Sequence, residues 1–144
     1  MKYTTEVIID RPRADVIAKF EDPESMKAWQ PTLQRYETLS GAPGQPGSTM
    51  KLVYDEGGRT MEMVETIVAN ELPNEFHATY ETVGVYNMQK NWFTEMEDGK
   101  TRWLSESEFK FSGLMILMGI FMRGAFPKQT LQTMQNFKAF VEAN

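Results

Sequence analysis

Cysteine is absent from the 144-residue chain and histidine occurs once, as His77. Without a thiol there is no cysteine nucleophile, thiolate zinc site, iron–sulfur cluster or disulfide, a composition that fits a reducing compartment. One histidine argues against a histidine-rich metal site and against a Ser-His-Asp triad. Long apolar runs are also missing. The greasiest, Leu114 to Met122, is broken by Gly119 and falls far short of the roughly 20 residues a membrane span needs. The opening Met1-Lys-Tyr-Thr-Thr-Glu contains no apolar signal core. Basic clusters are lacking too: a net charge of −5 and scattered Lys and Arg argue against a nucleic-acid partner. The expectation is a cytoplasmic protein, monomeric or homodimeric, with no cofactor and no metal. Gly41, Gly44 and Gly47 do not change that, because Pro43 and Pro46 interrupt them and no Lys-Ser/Thr or helix follows, so the segment reads as a loop.

What is present is enough chain for one core, and the expectation is a single domain over residues 1–144. Tyr3 to Asp10 alternates as a half-buried strand. Pro12 suits the start of a helix carrying Val16 and Phe20, Asp22-Pro23 ends it, and a short helix over about 24–29 stops before Pro31. Strands follow at Leu33 to Ser40, Met50 to Asp55, Thr60 to Ala69 and Phe76 to Val83, and two more form a hairpin around Asp98-Gly99.

Turn chemistry gives the register. Gly57-Gly58 reads as a two-residue primed turn, pairing Tyr54 with Met61, Leu52 with Met63 and Met50 with Glu65. Treating Asp98-Gly99 the same way pairs Trp92 with Ser105, Lys90 with Ser107 and Met88 with Phe109. The inner face then carries Met50, Leu52 and Tyr54 on one strand and Met61, Met63, Glu65 and Ile67 on the next. Tyr80 follows, then Met88, Lys90 and Trp92, then Trp103, Ser105, Phe109 and Phe111. His77 and Glu62 fall on the outer face. The C-terminal third breaks near Gly124 to Pro127. Beyond the break, Leu131, Met134, Phe137 and Val141 form a core stripe; before it, Leu114 to Met122 is apolar all round and must be buried or face a ligand or partner.

The pattern Ile9-x-Arg-Pro12-x-x-x-Val16, then Phe20-x-Asp22-Pro23-Glu24-x-Met26-x-x-Trp29-x-Pro31, then Gly41, Gly44 and Gly47, resembles the polyketide cyclase/dehydrase-like branch of the START-like (SRPBCC) superfamily. Glu62-x-x-Glu65, Leu72-Pro73 and the closing apolar helix continue the resemblance along the chain. It implies an α+β helix-grip fold: a curved seven-stranded antiparallel sheet around a long C-terminal helix, with two short helices after the first strand and a cavity between sheet and helix. That scaffold serves many chemistries, so the residues have to argue the function.

The Met and aromatic inner face favours binding a hydrophobic or amphipathic small molecule such as a lipid, quinone or polyketide-like ring. Met115, Met118 and Met122 are candidates to close the cavity over it, with Trp29 at its end. Glu65, inward among methionines, is the candidate acid, base or ligand anchor, with Tyr80 as a hydroxyl donor. Lys90 is a candidate headgroup anchor or partner for Glu65, or a side chain that snorkels to the cavity rim. A cyclase or dehydratase using Glu65 and Tyr80 is the alternative, and a protein-interaction module using residues 114–122 is a third reading.

Overall fold

The computed structural model describes all residues, 1–144. Strand β1 (Lys2–Ile9) leads through α1 (Arg13–Glu21), a 3-10 turn (Pro23–Ser25) and α2 (Met26–Trp29) into β2 (Leu33–Ser40). Strands β3 (Thr49–Glu56), β4 (Arg59–Glu71), β5 (Glu75–Thr82), β6 (Val85–Glu95) and β7 (Thr101–Phe111) follow, then α3 (Met115–Phe121) and α4 (Ala125–Ala143). The seven strands form one antiparallel sheet in the order β1-β7-β6-β5-β4-β3-β2. This is the expected helix-grip arrangement.

Local chemistry accounts for the elbow between β1 and β2. Pro12 stands at the N-cap of α1, and the Asp22 carboxylate accepts from the Glu24 backbone N–H at 3.1 Å and the Ser25 hydroxyl at 3.0 Å, so the chain restarts after the proline break. Pro127 lies in the first turn of α4, where its missing N–H costs no helical hydrogen bond.

The two hairpins that set the register behave differently. Gly57 and Gly58 have φ of +62° and +87°, as a primed two-residue turn requires, and the expected pairs Tyr54–Met61, Leu52–Met63 and Met50–Glu65 form. The β6–β7 connection is one residue longer. The Gly99 N–H donates to the Met96 carbonyl at 3.0 Å, the Met96 N–H donates to the Lys100 carbonyl at 2.8 Å, and Gly99 takes φ +82°. This tight turn with a left-handed glycine bulge slides β6 by one position. Trp103 therefore pairs with Phe93, Ser105 with Asn91 and Ser107 with Gln89.

That slip corrects the expected inner face on β6. Val85, Asn87, Gln89, Asn91 and Phe93 share the side of Trp103, whereas Met88, Lys90 and Trp92 lie on the opposite side. Trp92 instead stacks edge-on to His77 at 5.3 Å. Met88 and Lys90 border a shallow outer-face hollow of about 190 Å³ together with Tyr86 and Lys110.

Helix α4 lies along β1. The Tyr3 and Thr130 hydroxyls meet at 2.7 Å, the Thr5 hydroxyl contacts the Met134 sulfur at 3.0 Å, and the Lys138 ammonium donates to the Ile8 carbonyl at 2.7 Å. At its end, the Glu142 carboxylate accepts from the Asp10 N–H at 2.7 Å and its carbonyl accepts from Arg11. The core gathers on this side, from Val7, Ile9, Val16, Ile17, Trp29, Phe93, Trp103, Met134, Phe137 and Val141. Trp103 meets Phe20, Phe93 and Phe137 within 6 Å between ring centres, and its indole N–H donates to the Asn91 side-chain oxygen at 2.9 Å. Each such fully buried large side chain contributes about 1.5–3 kcal/mol through the hydrophobic effect.

Candidate functional site

Away from β1, the inner face of β3–β5 is incompletely covered. Met50 on β3, Met61 and Met63 on β4 and Tyr80 on β5 point to the concave side, yet each is only half-buried. Leu52, Ile67 and Ala78 beneath them are buried at 2%, 5% and 0% exposure and make the floor. This partly covered concave face is the candidate groove.

The polar groups of this groove converge. Glu65 sits directly across from Tyr80 on the β4–β5 ladder and from Met50 on the β3–β4 ladder. Burial pushes the Glu65 carboxyl above the usual carboxylate range, and the neighbouring Tyr80 hydroxyl pulls the other way. Tyr80 is raised well above an ordinary phenol by burial and then by the Glu65 charge. Tyr54 rises for the same reasons, burial first and Glu65 second, while its hydroxyl donates to the Gln30 side-chain oxygen at 2.7 Å. No lysine, arginine or histidine pairs with Glu65. The expected Lys90 partner is on the other side of the sheet and exposed. The cluster therefore offers a carboxyl that gains a proton more readily than a free glutamate and tyrosines that stay protonated at neutral pH.

Other expected lining residues are placed elsewhere. Trp103, Ser105 and Trp29 belong to the buried core under α4, and Trp29 packs edge-on to Phe137 at 5.0 Å. Phe109 points inward but joins an aromatic cluster with Phe111 and Phe126, at 5.9 and 4.8 Å. Met115 is half-buried beside Gly84, while Met118 and Met122 are 44% and 41% exposed and do not close the groove. No cluster of acidic, histidine or cysteine side chains is arranged to hold a metal, and no helix is long and apolar enough to cross a membrane.

Sequence reasoning missed the amides of β6. Asn87, Gln89 and Asn91 face inward beside the groove's tyrosines. Asn87 donates to the Glu108 carbonyl and Asn91 to the Phe76 carbonyl, both at 3.2 Å. One available signal was Lys90 itself: a register that places an unpaired ammonium on the core face is disfavoured against one that places amides there.

The family model for polyketide cyclase/dehydrase and lipid transport matches residues 1–142. The chain belongs to that family. Its fold is shared by a START superfamily protein from Mycobacterium smegmatis (TM-score 0.80, 11% identity, covering 99% of this chain and 97% of that one). It is shared too by the protein Ara h 8.0201 (TM-score 0.75, 17% identity, 100% and 99% covered). A conserved protein from Geobacillus kaustophilus aligns at TM-score 0.81 and 13% identity over 98% and 95%. At these identities the likeness is one of fold alone. No curated protein matches the chain. As a member of the cyclase/dehydrase and lipid transport family, this chain supports hydrophobic ligand binding in general terms.

Proposed function

We propose that the protein binds an amphipathic small molecule, a lipid, quinone or polyketide-like ring system, in the groove over β3–β5, as one cytoplasmic domain spanning the chain. The apolar part of the ligand lies against Met50, Met61 and Met63, whose flexible thioethers adapt to varied shapes. Its polar end meets Glu65 and Tyr80. The observation that carries this reading is a carboxyl and a tyrosine facing each other among methionines with no cation to neutralise them. Such a pair costs stability in a fold that has no use for it. Membership of the polyketide cyclase/dehydrase and lipid transport family supports a hydrophobic ligand in general terms.

The direct opposition of Glu65 and Tyr80 also favours a second reading, a cyclase or dehydratase in which Glu65 takes a substrate proton and Tyr80 donates to the developing oxyanion. Native mass spectrometry of the purified protein tests the first: a co-purified small molecule, or an adduct with added fatty acid or quinone, is expected. Absence of any adduct, with no binding in solution, would overturn it. Turnover of a polyketide-like substrate that disappears in Glu65→Gln would favour the second.

A further inference from the structure

Helix α3 is apolar on every side and yet stands out from the protein. Only Gly119 is buried, seated on the Phe111 ring so closely that a Cβ there would lie 2.6 Å from it. Met115 fills the space beside Gly84 at the β5–β6 hairpin. These contacts fix one side of the helix and leave Leu117, Ile120 and Phe121 outward, with Leu114 at 87% and Phe121 at 84% exposure. Val83, at the hairpin tip next to Gly84, is 92% exposed. Two separate elements thus present large apolar side chains at the same end of the sheet, which soluble surfaces ordinarily avoid.

Charge is distributed unevenly around this patch. The chain has 20 acidic residues to 15 basic, yet no carboxylate side chain occurs between Glu108 and Glu142, a stretch that holds Lys110, Arg123 and Lys128, and also Lys138, which pairs with Glu142 at 2.6 Å at the far end of the sheet. Arg123 follows α3 closely, Lys128 lies near the start of α4, and both are exposed. Among carboxylates, Glu81 shares this end of the sheet, in a hollow with Lys110 and Ser112.

We propose that α3 and the Val83 tip form a wedge that docks the protein reversibly on an anionic lipid bilayer. A helix of this length, about 10 Å, cannot span the bilayer but can lie at its interface, with Leu117 and Phe121 below the headgroups and Arg123 and Lys128 against the phosphates. The charges select this occupant over a second copy of the chain. A twofold pairing through α3 would bring Arg123 and Lys128 toward their own counterparts with no carboxylate from this stretch between them, whereas an anionic membrane supplies the missing negative charge. The proposal stands on the outside of the fold and does not depend on what the groove binds.

The test is flotation of the full chain with vesicles of phosphatidylcholine and phosphatidylglycerol, about 7:3, beside vesicles of phosphatidylcholine alone. Wild type is expected to float with the anionic vesicles and far less with the neutral ones. Leu117→Glu with Phe121→Glu should remain soluble while keeping the wild-type circular dichroism and melting temperature. Arg123→Gln with Lys128→Gln should weaken anionic binding on the order of 30-fold, from about 1 kcal/mol per basic residue. Three results would overturn the proposal: wild type that floats with neither vesicle, a Leu117→Glu/Phe121→Glu protein that floats as wild type does, or a wild-type dimer in vesicle-free buffer that this double variant makes monomeric.

Discussion

Replacing Glu65 by Gln separates a group kept for the ligand from one kept for the fold. Glu65 faces Tyr80 and Met50, no cation lies within salt-bridge distance, and burial raises its pKa. A carboxyl whose folded pKa exceeds its unfolded value imposes no penalty below the unfolded pKa, about 4.3 for a free glutamate. The penalty grows as pH rises through the folded pKa and is complete above it. Gln keeps the shape and a hydrogen-bonding oxygen for Tyr80 without the charge. At pH 7, Glu65→Gln should therefore stabilise by about 1 kcal/mol, the lower end of the cost of an under-satisfied buried polar group. For a chain of this size that corresponds to a melting temperature about 2–4 °C higher. Urea unfolding of both proteins from pH 4 to pH 8 should show the difference vanishing at the acid end and growing toward neutrality. A Glu65→Gln protein that is less stable at pH 7, or a difference that does not change with pH, would show that the Glu65 charge is not a burden on the fold.

Three further substitutions probe the packing and ion pairing of the core and the C-terminal helices. Asn91→Ala leaves the buried Trp103 indole N–H without its 2.9 Å acceptor and should cost about 2–3 kcal/mol in urea unfolding; a loss below about 0.5 kcal/mol would put the observed β6 register in doubt. Gly119→Ala would ordinarily gain about 1 kcal/mol of helix propensity, but here the new methyl meets the Phe111 ring at 2.6 Å. Overpacking of about 1–3 kcal/mol should win, giving a lower melting temperature, and a raised one would show that α3 moves freely off β7. The Glu142 carboxyl is lowered by the Asp10 N–H and Lys138, so its stabilisation exists above the ordinary glutamate pKa and is lost as pH falls through the lowered folded one. Glu142→Gln should remove up to about 1 kcal/mol at pH 7 and nothing at the acid end, as thermal unfolding at the two pH values would show.

The fold was legible because its punctuation is strong. Asp22-Pro23, Pro31, Gly57-Gly58 and Pro127 each end or begin an element by a backbone rule that tertiary context does not override, and the Met50–Glu65 pairing followed from one turn. The β6 face was not legible, because Asp98-Gly99 is compatible with two turns that differ by one residue, and a period of two converts that single residue into an inversion of Met88, Lys90 and Trp92. Glu65 fell on the inner face because its register rests on the unambiguous Gly57-Gly58 hairpin; alternation back from the Leu72-Pro73-Asn74 turn would have set Thr66 against Tyr80, and a bulge between Ile67 and Ala69 moves Glu65 there instead. The partial cover of β3–β5 and the exposure of α3 are long-range packing outcomes for which no local residue pattern stands.

Titrating a fluorescent fatty acid into wild type, Met63→Trp and Leu117→Glu decides whether the groove over β3–β5 is the ligand site. Met63 points into the groove, so an indole there fills the space, while Leu117 reports on the exposed patch of α3. Wild type should bind at micromolar strength, about −8 kcal/mol, with binding retained in Leu117→Glu and at least about tenfold weaker in Met63→Trp. Equal binding to wild type and Met63→Trp, with loss in Leu117→Glu, would contradict a ligand site in the groove.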